Sequence, residues 1–249
     1  MKVYVNGIDG IADAITSMYM SKRSWTREKE ENIRYVTYIM TLFNGAYYKP
    51  SRTSSDLLNV NNINNEFVKW MDTVTKWGAK HTTMLRFIDI SITVEGLHRG
   101  AQDDLDSHSM RFNNRIIRSS TRLADYNEGE MSDYYRGKIL PTDTALAILG
   151  VETPETIEVD GDIYVKGVNG YILKGMENNK DVKRGLYMLS IPSNFIFKVN
   201  FVDWAHVYKQ RCKSSNANPE LKEVVEAIQN EIEEKMPWLN RELISRIEI

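Results

Sequence analysis

Four arginines, Arg111, Arg115, Arg118 and Arg122, fall within one short stretch that also holds Ser119 and Ser120 and no acidic residue. A guanidinium stays protonated and presents a rigid planar fork of donors. A knot of them suits a phosphate dianion, or a carbonyl oxygen on which charge develops. The rest of the chain is not basic: 32 Lys+Arg stand against 34 Asp+Glu, a formal net charge of −2. That balance argues against a nucleic-acid polymer as partner and matches the knot to a mononucleotide. Two geometries are open. Spaced i, i+4, i+7 and i+11, the four would line one solvated helix face. Arg118, Ser120 and Arg122 also alternate, which would put all three on one side of a strand and suits a site better.

Two later arginines lie in a segment with a strict order of signals. It reads Arg184-Gly-Leu-Tyr-Met-Leu-Ser-Ile-Pro-Ser-Asn-Phe-Ile-Phe-Lys-Val-Asn200, then Trp204-Ala-His206, Arg211 and Ser215-Asn-Ala-Asn-Pro-Glu220. An arginine near a helix end precedes a strand leading to Asn200. A helix carrying His206 and Arg211 follows, and then a capped amphipathic helix. This order, with gapless spacing from Arg184 through Asn200 to Arg211, resembles the C-terminal half of flavin-dependent thymidylate synthases. That family's flavin motif has the form Arg-His-Arg-x-x-Ser-x-Asn-x-x-Ser-x-Arg. Here Ser107-His108-Ser109 stands where Arg-His-Arg would be, and Ser120-Thr121-Arg122 matches the closing Ser-x-Arg, with about three extra residues between. Upstream, His81-Thr82-Thr83 is similar to the family's threonine-bearing turn at the adenosine end of the flavin.

The resemblance implies a mixed α/β (α+β) fold: a single domain over residues 1–249, a central sheet flanked by helices, and a homotetramer with active sites shared between subunits. It implies reductive methylation of dUMP to dTMP at uracil C5, with methylenetetrahydrofolate as carbon donor, FAD as redox cofactor and NADPH recharging the flavin. By the same resemblance Arg211 is the catalytic residue. Ser120, Arg122, Arg184 and Arg211 hold the nucleotide, and Thr83, His108, Asn200 and His206 hold FAD. The physical chemistry agrees. Methylation at C5 builds charge on the ring and its carbonyl oxygens, and a fixed guanidinium stabilises that charge as it forms. The protein supplies positioning and electrostatics, and the cofactor supplies the redox chemistry.

The chain departs from the family pattern in four places. Serines replace both arginines flanking His108, and Arg118 occupies a position that is usually acidic. Tyr187-Met188-Leu189-Ser190 replaces the Leu-Pro expected after Arg184. A hairpin-rich block at 152–174, a possible insertion, takes the place of long helices. A second reading follows: a diverged pyrimidine-nucleotide-modifying or nucleotide-binding homologue with altered flavin use. A third is a metal-dependent phosphohydrolase built on His98, Asp103, Asp104, Asp106 and His108. That run lacks a recognised ligand spacing, and a polar helix or loop is the simpler account. Cys212 invites comparison with the nucleophile of the unrelated cysteine-dependent thymidylate synthases, but its Arg-Cys-Lys-Ser context lacks their Pro-Cys-His surroundings and reads as a passive thiol. No glycine-rich phosphate loop occurs; the 14 glycines are dispersed.

The elements that must position these residues can be read from periodicity. Ile33, Val36, Met40 and Phe43 recur at helical spacing from Arg27, with Asn44-Gly45 as a stop. Ile63, Phe67, Trp70, Met71, Val74 and Trp77 form the apolar stripe of a second helix that stops at Gly78. The Ser-, Asn- and Asp-rich stretch 51–65 reads as a loop or lid. Ile88, Ile90, Ile92 and Val94 alternate with Asp89, Ser91 and Thr93, the pattern of a strand with one wet face. The 156–174 stretch predicts paired strands around Asp160-Gly161, with a further strand near 171–173. Phe195 to Val199 is another strand, entering a helix near Asp203. Asn218-Pro219 caps the last long helix, whose buried stripe is Leu221, Val224, Val225, Ile228, Ile232 and Met236.

At 249 residues the chain can bury one good-sized core or two small ones. A single cysteine excludes an internal disulfide and fits a reducing compartment. The first residues lack a signal-peptide pattern, and no stretch approaches the roughly 18 apolar residues of a span, so a cytoplasmic protein with no membrane partner is expected.

Overall fold

The computed structural model describes residues 1–42, 56–106, 115–120, 130–167, 169–179, 182, 186, 189–212 and 218–248; side chains at 41, 42, 56–62, 115, 116 and 118 are not considered. In chain order the described elements are β1 (Lys2–Asp9), α1 (Ile11–Ser21), α2 (Arg27–Leu42), α3 (Asp56–Gly78), a 3₁₀ turn (Leu85–Phe87), β2 (Asp89–His98), α4 (Arg99–Asp106) and β3 (Arg115–Arg118). Then come α5 (Thr142–Ile148), β4 (Thr156–Val159), β5 (Asp162–Gly167), β6 (Gly170–Leu173), β7 (Pro192–Asn200), α6 (Phe201–Cys212), α7 (Pro219–Lys235) and α8 (Arg241–Arg246). One sheet has the order β1-β2-β7-β3 and a second the order β4-β5-β6. The fold is mixed α/β, as expected. The chain divides into two compact units, and the division falls within β2 and within β7.

The larger unit comprises residues 3–93, 108–116 and 197–249. In it α1 packs on α2 and α3, and α6 packs on α7 and on the 3₁₀ turn. Two glycines permit this packing. A Cβ on Gly10, whose φ is +76°, would lie 1.8 Å from the Phe87 carbonyl oxygen, so only glycine lets α1 start against the 3₁₀ turn. A Cβ on Gly78 would lie 2.6 Å from Leu85 Cγ, so the end of α3 presses directly on that side chain. The alternation read for β2 holds: Ile88, Ile90, Ile92 and Val94 are fully buried. The Asn218 cap holds too, its side chain accepting hydrogen bonds from the backbone N–H of Glu220 at 3.0 Å and of Leu221 at 3.4 Å. All six residues of the α7 stripe are buried.

The smaller unit comprises residues 1–2, 94–107 and 117–196. The backbone N–H groups of Arg99 and Gly100 donate to the carbonyls of Ile191 at 3.0 Å and Leu189 at 3.1 Å. Buried Gln102 donates to the carbonyls of Leu97 at 3.0 Å and Ser193 at 2.8 Å, which fixes α4 beside the start of β7. The 152–174 block is an antiparallel three-stranded sheet in which Val159 pairs with Asp162 and Gly167 with Gly170. Asp160 (φ 53°) and Gly161 (φ 89°) both have positive φ, as the tight hairpin turn read from Asp-Gly requires.

Two expectations need correction. Residues 56–65 are helical, which overturns the loop reading there; the rest of that stretch, 51–55, lies outside the described residues. Leu57, Val60 and Ile63 continue the apolar spacing of α3 toward its N-terminus, and that periodicity outweighs the weak helix preference of the asparagines. Trp77 does not belong to the core stripe; it is 43% exposed. The strand read from Phe195 to Val199 enters its helix near Asp203 as expected: α6 begins at Phe201, directly after β7.

Candidate active site

The turn that follows α3 carries Thr83. It is built by backbone bonds from His81 to the Trp77 carbonyl at 2.8 Å and from Arg86 to the Thr82 carbonyl at 3.1 Å. Thr83 lines a pocket of about 490 Å³ together with Ser17, Ser21, Lys22, Trp77, His81, Met84 and Phe87. Helix α1 and its C-cap supply the two serines and Lys22, the end of α3 the indole, and the turn after α3 the rest. The Trp77 and His81 rings lie stacked, 6.2 Å between centroids and 16° between planes. The Lys22 ammonium stands 5.7 Å from the Trp77 ring centroid. The Ser17 and Ser21 hydroxyls donate to the Ala14 and Met18 carbonyls at 2.7 and 2.8 Å and so offer a ligand their oxygens; with a flat aromatic wall and one cation they suit a heterocycle with an attached phosphate ester.

The same turn is bonded to α6. The Phe201 N–H donates to the Ile88 carbonyl at 2.8 Å, and the Arg86 guanidinium donates to Asp203 Oδ1 at 3.2 Å. Asn200 caps the helix: its Oδ1 accepts from the N–H of Val202 at 3.1 Å and of Asp203 at 3.0 Å, and its Nδ2 donates to Asp203 Oδ2 at 2.6 Å. Both acceptor lone pairs of the amide are thereby used, and among the described residues one N–H is left. Burial pushes the Asp203 carboxyl above its ordinary range, only partly offset by Asn200, Arg86 and His206. His206 and Arg211, both half-buried, follow one and two turns further along α6. Thus Asn200 caps the start of α6, His206 lies within it and Arg211 lies in its last turn, while the Thr83 turn is held to its start.

The remaining expected site residues are distributed differently. Residues 115–118 form a strand, which removes the solvated-helix reading for that part of the arginine knot. Ser120 lies just past β3 and is exposed. The neighbouring Ser119 donates its N–H to the Asn194 carbonyl at 2.8 Å, and its own carbonyl accepts from the Arg99 guanidinium at 3.3 Å. His108, Arg111, Arg122 and Arg184 lie outside the described residues.

A family model for thymidylate synthase complementing protein matches residues 10–238. The chain belongs to this family. Among solved structures it is similar to the flavin-dependent thymidylate synthase ThyX from Helicobacter pylori complexed with FAD and dUMP, with TM-score 0.55 and 12% identity over 98% of this chain and 99% of that one. A second structure of that protein with FAD and dUMP, at 2.31 Å resolution, gives TM-score 0.55 and 11% identity, covering 98% of this chain and 99% of the other. A UMP/dUMP methylase, PolB from Streptomyces cacaoi, bound with 5-Br dUMP, gives TM-score 0.51 and 9% identity, covering 98% of this chain and 94% of that one. No curated protein matches the chain. At these identities the structures show the fold.

Other chemical readings find less support in this member of the family. Burial, then the charge and hydrogen bond of Glu226, push the Cys212 thiol up to about 12, so it stays protonated and inert at neutral pH. Among the described residues no group of three or more His, Cys, Asp or Glu is placed to hold a metal ion. No described helix is long and apolar enough to cross a membrane.

Sequence reasoning missed Lys22, Trp77, Arg86 and Asp203. Trp77 carried a signal, because it closes an apolar stripe at the helix end, where a side chain can face a cleft as readily as the core. Lys22, Arg86 and Asp203 carried none, since their partners are remote in the chain.

Proposed function

We propose that the protein is a flavin-dependent thymidylate synthase, methylating dUMP at uracil C5 with methylenetetrahydrofolate, FAD and NADPH, and working as a cytoplasmic homotetramer whose chains each act as one catalytic domain. The observation that carries this reading is the ion pair from Arg86 to Asp203. It ties the turn bearing Thr83 to the helix bearing His206 and Arg211, inside a chain matched by the family model over residues 10–238. One solved relative by fold contains FAD and dUMP in two structures, and another contains 5-Br dUMP.

The residues around Thr83 fit the adenosine end of FAD: serine oxygens that can accept from the sugar hydroxyls, an aromatic wall for the base and one ammonium for the phosphate charge. When bound, FAD supplies the reducing equivalents of the methyl transfer. Thr83 would hold its adenosine end, and His206 and the spare amide N–H of Asn200 would face the isoalloxazine, with His108 contributing by resemblance. Ser120, Arg122 and Arg184 would hold the phosphate and sugar of dUMP. Arg211 would bind the uracil carbonyl oxygens, where its fixed charge stabilises the negative charge built up during attack from C5. Asp203 and Arg86 would act through position, keeping α6 against the Thr83 turn.

The test is product formation. Protein supplied with FAD, dUMP, methylenetetrahydrofolate and NADPH is expected to yield dTMP by chromatography and mass spectrometry. Absence of dTMP, with dUMP recovered intact, contradicts the proposal. The serines at 107 and 109 favour one second reading, a nucleotide-binding homologue with altered flavin use. Protein that binds dUMP by calorimetry but takes up no FAD would select it.

A further inference from the structure

The smaller unit holds its chain tightly just before Ser120 and more weakly where that chain returns. On the leading side, every polar group of Ser119 is engaged. Its N–H donates to the Asn194 carbonyl at 2.8 Å and its hydroxyl to the same oxygen at 3.2 Å, while its carbonyl accepts from the Arg99 guanidinium at 3.3 Å. Asn194 is itself tied down, its Oδ1 accepting from the Gly96 N–H at 3.0 Å.

The returning side is anchored on neighbours of those same residues. His98, the last residue of β2, directly precedes Arg99, and Ser190 precedes Asn194 on one segment. The Ser132 N–H donates to the Ser190 carbonyl at 2.7 Å, and the Tyr135 N–H closes a turn onto the Ser132 carbonyl at 3.0 Å. That turn sets the Tyr135 ring edge-on to the His98 imidazole, 4.7 Å between centroids and 90° between planes, with the hydroxyl 3.4 Å from Nε2. A Cβ on Gly100 would lie 3.2 Å from the same Nε2, so a glycine at the start of α4 gives the imidazole its room.

The two anchors differ in quality. His98, Ser132 and Ser190 are all buried, and among the described residues neither serine hydroxyl has a hydrogen-bond partner. A buried hydroxyl without a partner costs stability instead of supplying it. The backbone bond from Ser132 and the contact between Tyr135 and His98 therefore carry the attachment, and 3.4 Å is long for a hydrogen bond.

We propose that His98 is a positioning residue for the pyrimidine-nucleotide site: by gripping Tyr135 it fixes the return of the chain that Arg99 fixes on its way to Ser120. The inference rests on the proposed reading of Ser120 as a contact to the phosphate and sugar of dUMP. With the return loosened, Ser120 is held from one side instead of two, and nucleotide binding must then supply the ordering entropy. Loss of the grip weakens nucleotide binding, leaves the chemistry of a bound nucleotide unchanged and does not disturb the flavin.

The probe is dUMP, titrated by calorimetry into FAD-loaded wild-type protein, His98→Leu, His98→Gln and Tyr135→Phe, with KM and kcat taken from dTMP formation. Tyr135→Phe keeps the ring and leucine fills much of the imidazole's space, so FAD is expected to stay bound and thermal midpoints to stay within about 3 °C. His98→Leu should weaken dUMP binding about tenfold and raise KM by the same factor, with kcat within about twofold of wild type. Tyr135→Phe should lose less, about threefold. His98→Gln, whose amide can meet the Tyr135 hydroxyl in either role, should recover part of the loss. Ser132→Ala, which removes a hydroxyl without a partner, should bind dUMP no more weakly than wild type. Wild-type affinity for dUMP in both His98→Leu and Tyr135→Phe overturns the inference and leaves the pyrimidine reading standing. A loss shared equally by dUMP, FAD and the thermal midpoint also overturns it, because it marks a merely structural residue. Failure of wild-type protein to bind dUMP overturns both.

Discussion

Arg241 and Lys22 are cations of the same compact unit, and the fold treats them in opposite ways. The Arg241 guanidinium donates to Glu233 Oε2 at 2.6 Å, Glu226 Oε2 at 2.8 Å, Asn230 Oδ1 at 2.7 Å and the Tyr208 hydroxyl at 3.0 Å. All three of its nitrogens are engaged. Burial alone would lower its pKa, but Glu226, Tyr208 and Glu233 more than compensate and hold it raised. The cage joins α6, α7 and α8, and Lys209 of α6 adds a bond to the Ile247 carbonyl at 2.5 Å. Lys22 instead rests on an aromatic face, its donors uncommitted to any described carboxylate. A saturated charge stabilises a fold, whereas a charge with spare donors can still meet a ligand. By that criterion α7 and α8 form the buttress of the larger unit, and the end of α1 with the Thr83 turn forms its working edge.

The contrast can be broken most severely at Arg211, which the proposed mechanism puts on the working side. Arg211→Ala is expected to lower the turnover number by about 10² to 10³, while the thermal midpoint moves by less than about 3 °C. A rate unchanged in that variant would remove its catalytic role. Arg241→Ala should do the reverse. Losing the cage costs about 2 kcal/mol, lowering the thermal midpoint by about 4–8 °C with FAD affinity retained. Calorimetric unfolding and a flavin titration on the same sample separate the two outcomes.

The cage also predicts an acid limit. Burial would raise the Glu226 carboxyl, but hydrogen bonds from Arg241, Tyr208 and Cys212 outweigh it and hold the group below the usual range. Because its folded pKa is the lower one, its stabilisation is complete above the unfolded value of about 4.3 and disappears as pH falls through the folded value. Asp203 has the opposite sign. Burial raises its folded pKa, so its contribution is greatest below about pH 3.9 and is lost as pH rises through that raised value. Urea titrations from pH 7 downward should therefore show wild-type stability falling more steeply below about pH 4.3 than that of Glu226→Gln. Parallel curves for the two proteins would contradict the assignment. The smallest effect is expected at the working edge itself. Arg23 follows α1 with a left-handed backbone, φ 52°. Arg23→Gly keeps that conformation and relieves its strain, which should raise stability by roughly 0.5–1 kcal/mol.

What could be read from the sequence follows the same division. The buttress is local and periodic: Asn218 capping Pro219, the stripe from Leu221 to Met236 and the alternation of β2 each depend on neighbours a few residues apart. The Asp160-Gly161 hairpin is legible for the same reason, since its turn demands positive φ at both positions. The working edge is assembled from α1, the end of α3 and the turn before β2, so nothing local marks Lys22 or Ser17 as pocket residues. Thr83, Asn200, His206 and Arg211 were accessible only through family resemblance. Trp77 was misassigned because an apolar stripe does not reveal whether its last member faces core or cleft. The helical stretch 56–62 is hidden in the sequence because its asparagines suggest a loop where the apolar spacing carries the helix.

The account rests on one flavin site and one pyrimidine site acting together. Its most direct test is the absorbance spectrum of protein reconstituted with FAD, before and after addition of dUMP. The account predicts a yellow protein whose flavin bands shift when dUMP binds and bleach on anaerobic reduction by NADPH. A protein that remains colourless in excess FAD, or whose bound flavin ignores dUMP, would contradict it.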